Sequence, residues 1–236
     1  INGDDEGYAT ASNSLLLADG IRLPYAESWP NQTMENGNWY RGTGHGATWY
    51  IRYKGYDPLT DAYDGTGVAS CETDRDMTFG MGTILSPRLD LSLVQSPSVT
   101  FYMYQSPEYE SGVQLAVGVD IGDGAQHLIP GALYNAHADE AGWKEINIPL
   151  DDFTSYKSAS IAFYGYVTPE NTIHIDNVSV KGTANSKEVA LTGIVAPVEG
   201  RTGIPVTFNI DVTNKGAVAS GSFAVEMTYG TRSIGT

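Results

Sequence analysis

Ile173-His174-Ile175-Asp176-Asn177-Val178-Ser179-Val180 is the stretch from which the fold of this chain is read. Ile173, Ile175, Val178 and Val180 are β-branched and apolar, with polar residues between them, the pattern of a strand with one buried face. Asp176-Asn177 interrupts the alternation where apolar residues are expected. An unpaired carboxylate is expensive to bury, so the interruption marks a bulge or a site, and Asp176 is the first candidate ligand residue. Thr183-Ala184-Asn185-Ser186 follows as a short polar linker, so this strand is expected to close one domain.

Upstream, the same period-2 rhythm recurs. Ser98 to Tyr104 alternates Val99, Phe101 and Met103 against polar and tyrosine positions, and Val113 to Ile121 repeats the pattern. Thr83 to Leu91 is a strand whose Pro87 suits an edge or an entry. Trp143 to Ile148 and Ser160 to Tyr166 complete the series, and Leu150-Asp151-Asp152-Phe153 holds at most one helical turn. Residues 31–83 read as loop-rich and crowded with aromatics. Strands at this spacing, with no helical run, predict an all-β, antiparallel two-sheet sandwich.

Composition agrees. The 236 residues include 27 Gly and 15 Tyr, with 41% apolar and 17% charged, which suits a turn-rich β-sandwich with a real core. A formal net charge of −15 argues against nucleic-acid phosphates and anionic membrane surfaces, and fits cations, neutral glycans or basic protein surfaces, or solubility alone. The single Cys71 excludes an internal disulfide. No apolar run reaches about 18 residues, so no membrane insertion is expected. Ile1-Asn2-Gly3-Asp4-Asp5 does not have the charged-then-apolar opening of a secretory leader.

Both ends read as pieces of something else. Asn2 to Asp5 is turn chemistry and Tyr8 to Leu17 a strand, so residues 1–20 look like the end of a preceding unit. Beyond the linker, Val189 to Ile194, Pro205 to Val212 and Ser222 to Tyr229 are strands, with a turn at Asn214-Lys215-Gly216. They amount to about half of an immunoglobulin-like sandwich of ~100 residues. Half a sandwich exposes apolar faces and open edges, so residues 8–17 or a neighbouring chain are expected to complete it by strand exchange or dimerisation. The division expected is 1–20, 21–183 and 184–236, cut from a tandem array.

Several phrases in order resemble a known family. Tyr25-Ala26-Glu27-Ser28-Trp29, Ile84-Leu85-Ser86-Pro87, Val99 to Tyr104, Trp143 to Leu150, Ile161 to Gly165 and Ile175-Asp176-Asn177-Val178 are similar to the cleaved-adhesin or choice-of-anchor J domains of Bacteroidetes surface proteins. These include the haemagglutinin-adhesin domains of gingipains and resemble MAM domains. The likeness spans about Leu23 to Lys181, and Glu188 to Tyr229 resembles the Ig-like repeats between such domains. It implies a jelly-roll sandwich plus a partial Ig-like sandwich, secreted or on a cell surface, holding structural calcium and working in adhesion to a host protein or glycan. The family's metal site lies between an acid on the first strand and one on the last. These correspond here to Glu27 and Asp176, with further oxygens from Asp61 to Gly67, where Asp61 and Asp64 are the acids. This chain has Asp-Asn where many relatives have Asp-Asp.

Calcium takes 6–8 oxygens, and the Asp61–Gly67 loop can wrap carbonyls around an ion, although it lacks EF-hand spacing. The plainer reading makes Asp61 and Asp64 turn residues. Among the aromatics, Trp29 and Trp143 sit in strand pattern and read as core. Trp49, Tyr50, Tyr53 and Tyr56 lie in a loop-like segment and read as ligand-binding surface, able to stack on sugars, with core as their alternative. Signals for catalysis are weak. His45, His127, His137 and His174 have no metal-ligand spacing, and Cys71 reads as a small buried residue. Asn31-Gln32-Thr33 and Asn177-Val178-Ser179 are glycosylation sequons only in a eukaryotic source. The expectation is a non-catalytic, calcium-stabilised adhesion module; the alternatives are a carbohydrate-binding accessory module of a glycan-degrading protein and an architectural spacer.

Overall fold

The computed structural model describes residues 20–34, 37–74, 77–184, 189–195, 208–214, 225, 227–229 and 232–235. In chain order the strands are β1 (Ile21–Arg22), β2 (Tyr25–Glu27), β3 (Tyr40–Arg41), β4 (Ala47–Arg52), β5 (Lys54–Gly55), β6 (Thr60–Asp61), β7 (Val68–Thr73), β8 (Gly80–Leu85), β9 (Leu89–Asp90) and β10 (Val94–Gln105). There follow β11 (Gln114–Asp120), β12 (His127–Asn135), β13 (Gly142–Pro149), β14 (Ser160–Val167) and β15 (Ile173–Ala184). Beyond these lie β16 (Val189–Val195), β17 (Asn209–Asn214), β18 (Met227–Tyr229) and β19 (Arg232–Gly235). One 3-10 turn, Asp151–Phe153, stands where a single helical turn is predicted.

Two antiparallel sheets make the jelly-roll sandwich. The six-stranded sheet runs β13-β10-β15-β7-β4, with β2 also paired to β15, and the five-stranded sheet runs β12-β11-β14-β8-β3. β15 carries two neighbours on one side because it is long. Residues 173–175 pair with β7, and residues 178–180 pair with β2. The first strand of the six-stranded sheet, β2, is therefore hydrogen-bonded to its last in chain order, β15. Phe101 of β10 meets Phe163 of β14 edge-to-face at 5.0 Å, closing the core between the sheets. Trp39 stacks on Phe163 at 6.1 Å and Trp29 packs edge-on to Trp39 at 5.2 Å, filling one end.

The Asp176-Asn177 interruption is a bulge. Tyr102 pairs with Asp176 and Thr100 with Ser179, so one residue of β10 faces two of β15, and Asn177 takes a left-handed φ of 48°. The extra residue puts Ile175 and Val178 both in the core while Asp176 faces outward under a loop.

Two expectations are corrected. Residues 31–83 hold regular strands: Ala47, Trp49 and Ile51 alternate inward along β4, and β7 pairs with both β4 and β15. β7 escapes a period-2 reading because Val68, Ala69, Ser70 and Cys71 are all buried, as befits a strand covered on both faces. The Cys71 thiol is buried there and burial pushes its pKa up, so it is the small core residue expected. β15 also continues through Thr183-Ala184, pairing with Gln95 and Val94, where the sequence suggested a linker.

β16 pairs antiparallel with β17, and β18 with β19. Leu191, Ile194 and Val195 are exposed on β16. The strand expected over 8–17, the turn at 215–216 and the first parts of the strands expected over 205–212 and 222–229 lie outside the described residues.

Candidate functional site

Residues 53–67 link β4 to β7 and lie across the outer face of the six-stranded sheet. Four side chains from that sheet fasten them. His174 is fully buried, its Nδ1 2.9 Å from Ser70 Oγ and its Nε2 3.2 Å from the Pro58 carbonyl. Burial lowers its pKa to about 4, so the ring is neutral at pH 7. A carbonyl only accepts, so Nε2 carries the proton and Nδ1 accepts from the Ser70 hydroxyl. Trp143 Nε1 donates to the Asp61 carbonyl at 3.2 Å, and Tyr63 stacks on Tyr102 with centroids 3.6 Å apart.

Asp176 is the fourth. It is fully buried, with Oδ2 accepting from the Asp64 N–H at 2.9 Å and Oδ1 from the Asn177 N–H at 2.6 Å. Burial raises its pKa to about 6; those N–H groups and that of Tyr63 oppose the rise, and the Asp64 charge adds to it. Ion pairs among the described residues join Arg52 to Glu72, Arg88 to Asp120 and His127 to Asp123, and none includes Asp176.

The other end of this loop meets the exit of β2. Glu27 Oε1 accepts from the Trp29 N–H at 2.7 Å, and Thr66 Oγ1 donates to the Pro30 carbonyl at 2.8 Å. Trp29 holds a left-handed φ of 47°, and a Cβ on Gly67 would lie 2.0 Å from its carbonyl oxygen. Gly67→Ala is therefore expected to lose about 1–3 kcal/mol of stability, readable by urea unfolding; an unchanged midpoint would show that the corner relaxes freely.

The expected metal residues are thus partly assembled. The loop carrying Asp61 and Asp64 touches both Asp176 and the segment after Glu27. Asp64 approaches Asp176 through its backbone N–H, and Asp61 turns its carbonyl to Trp143. Asp176 is a buried carboxylate without an ion-pair partner among the described residues, the kind of group a hard cation can take as a ligand. Among those residues, no group of three or more His, Cys, Asp or Glu is placed to hold a metal. The residues suit calcium only if carbonyl and water oxygens supply most of its 6–8 ligands.

The aromatic candidates divide. Trp49 is a core residue, fully buried, with Nε1 donating to the Gly82 carbonyl at 2.9 Å, so no sugar reaches it. The Arg41 and Arg52 guanidiniums lie 5.3 and 4.4 Å from the Tyr50 ring centre, packing that ring against the protein's own cations. Tyr53 and Tyr56 are exposed, perpendicular to each other with hydroxyls bonded together. They border an open cleft of about 650 Å³ lined also by Arg52, Asp57, Glu72 and Glu170. Arg52 grips Glu72 through two bonds of 2.7 Å. Trp143, expected in the core, is only partly buried and packs against Tyr63 and Tyr104. Asp57 and Glu170 escape a sequence reading because only the fold brings them to one cleft.

No protein-family model matches the chain, and no curated protein sequence matches it. Solved structures similar to it include the K1 cleaved adhesin domain of Lys-gingipain from Porphyromonas gingivalis, the family the sequence resembles. That pair is 16% identical over 69% of this chain and 99% of the other, with a TM-score of 0.45. A carbohydrate-binding module in complex with β-1,4-galactotriose is 14% identical over 66% and 99%, with a TM-score of 0.44. A xylan-binding domain from Paenibacillus barcinonensis is 12% identical over 67% and 99%, with a TM-score of 0.43.

Proposed function

We propose that this chain is a non-catalytic ligand-binding module of the adhesion type, exported or displayed at a cell surface, whose cleft beside Tyr53 and Tyr56 takes a neutral, hydroxyl-rich glycan. One observation carries this reading: two exposed tyrosines and a set of carboxylate, guanidinium and amide groups line one open cleft of about 650 Å³. Such a cleft offers ring faces for the apolar side of a sugar and donors and acceptors for its hydroxyls. Three acids line it with Arg52, and Lys54 Nζ lies 5.4 and 5.2 Å from the Tyr53 and Tyr56 ring centres, so acids still outnumber cations there, which disfavours anionic sugars. The same acids favour a second reading, a basic protein surface, whose binding would weaken steeply with added salt.

The test is affinity electrophoresis through gels containing soluble galactan, xylan or mannan. Retardation by at least one of them is expected, and Tyr53→Ala with Tyr56→Ala should weaken it about tenfold, 1.4 kcal/mol. Retardation unchanged in that double variant would remove the cleft from the reading. Calcium belongs to the proposal as a stabiliser: Glu27, Asp176 and carbonyls of 61–67 would hold it and tie first strand, loop and last strand together. Residues 21–183 are assigned to this module and 184–236 to the start of an Ig-like one, completed by residues 8–17 or a second copy. Mass by light scattering with and without residues 1–20 tests that completion.

A further inference from the structure

The outer face of the five-stranded sheet carries a small apolar cluster of its own. Along β14, Ala162, Tyr164 and Tyr166 face outward, away from the core residues Ile161 and Phe163. Leu85 and Met81 of β8 and Ala116 of β11 pack beside them, so this face is apolar where a solvated sheet face is ordinarily polar. Two hollows open on it. One, about 360 Å³, is lined by Gln114, Ala116, Leu128, Ile129, Leu133 and Tyr166. The other, about 250 Å³, is lined by Tyr40, Thr43, Thr83, Asp120, Gln126 and Tyr164. Tyr164 and Tyr166 are two residues apart on one face of one strand, roughly 7 Å, so the hollows adjoin. Together they cross from β12 to β3, four strand spacings or about 19 Å.

Small residues set the floor and larger ones the walls. Gly118 allows Tyr164 to lie flat, since a Cβ there would come 3.2 Å from its ring. Tyr40 is 40% exposed, and Phe79, 49% exposed, stacks on Tyr166 at 6.4 Å and 22°. Ionised groups are nearly absent: among the side chains lining the two hollows only Asp120 is charged, and Arg88 neutralises it at 3.1 Å. On a chain of net charge −15 this is a neutral, tyrosine-lined trough edged by hydroxyls and amides. Strand addition from a second copy is disfavoured at its β12 edge, where Pro130 and Gly131 (φ 79°) interrupt the ladder with β11.

We infer that this trough binds a short stretch of a neutral glycan chain, with Tyr40 and Tyr166 as its stacking rings. It is separate from the Tyr53–Tyr56 cleft, which belongs to the other sheet, so the module would be bivalent.

The experiment is amide chemical-shift mapping of the ¹⁵N-labelled chain titrated with galactotriose, xylotetraose and mannotetraose, repeated on Tyr40→Ala and Tyr166→Ala. The expected result is saturable shifts at Thr83, Gln114, Ala116 and Tyr164 with at least one sugar, weakened about tenfold by either variant. Shifts confined to Gly55, Thr73 and Thr172 would support the cleft and overturn the trough. No shift with any of the three sugars at millimolar concentration would also overturn it. So would a dimer in light scattering that Leu133→Glu dissolves, because a second copy would then cover this face. Mapping on the unmodified chain keeps the test valid if a tyrosine variant folds poorly.

Discussion

Trp49→Ala is expected to lower the unfolding free energy by about 3–5 kcal/mol, among the largest effects of any single change in this chain. The indole fills the core between β4 and the facing sheet with no exposed surface. Its removal strips the ring contacts and the Nε1 bond to Gly82 and leaves a cavity beside Cys71, Gly82 and Gly165, whose backbones and thiol already crowd one another. Gly82 and Gly165 have no room for a compensating side chain, because a Cβ at either would lie within 3.0 Å of the Cys71 sulfur. Collapse into the cavity is therefore limited. The consequence for function is direct. Loss of glycan binding in Trp49→Ala would report a damaged fold, whereas loss in Tyr53→Ala with Tyr56→Ala would report the cleft. Urea unfolding decides it: a change under about 1 kcal/mol would mean that the indole is not a core residue.

Trp49 also shows what sequence could and could not reveal. The flanking Gly-rich stretch and the density of aromatics around it read as loop, yet Ala47, Trp49 and Ile51 alternate inward against Thr48, Tyr50 and Arg52. The period-2 signal was present but short. β7 was illegible for a physical reason, since burial on both faces erases alternation. β12 was hidden by Pro130 and Gly131, which are tolerated because it is an edge strand. By contrast, the interruption at Asp176-Asn177 announced a bulge or a site, and the structure contains the bulge, with Asp176 buried in it. The loop near Asp61 to Gly67 was legible as a partner for Asp176 only through resemblance. No residue pattern predicts that Asp64 would arrive by its N–H. The five-stranded sheet's tyrosine-lined face was invisible for a related reason: β14 reads as nearly continuous apolar sequence, and only its pairing with Ala116 and Gly118 shows that one side is open.

Acid titration of unfolding should separate Asp176 from His174. In chelator, each has a folded-state pKa displaced in the same pH window but with opposite sign. Asp176 is raised from about 3.8 to about 6, so the folded state holds its proton more tightly. That stabilisation is complete below pH ~4 and is lost as pH rises through 6, about 3 kcal/mol at 1.36 per pKa unit. His174 is lowered from 6.5 to about 4, so its contribution is complete above pH ~6.5 and is lost as pH falls through 4, again about 3 kcal/mol. The two nearly cancel, and the unmodified chain should be insensitive to these groups between pH 4 and 6.5. Asp176→Asn removes one arm and should lose about 3 kcal/mol on acidification across that window. His174→Gln removes the other and should gain stability over the same change. Parallel pH profiles for Asp176→Asn and the unmodified chain would refute the assignment of a buried, tightly held carboxyl. Calcium turns the same residue into a second readout. A bound cation needs the carboxylate ionised, so calcium at a hundredfold excess over its Kd should add about 2.7 kcal/mol at pH 7 and much less at pH 5. Asp176→Asn should remove that increment. If calcium stabilises both proteins equally, the ion sits elsewhere, and Asp176 serves only to fasten the 53–67 loop to the sheet.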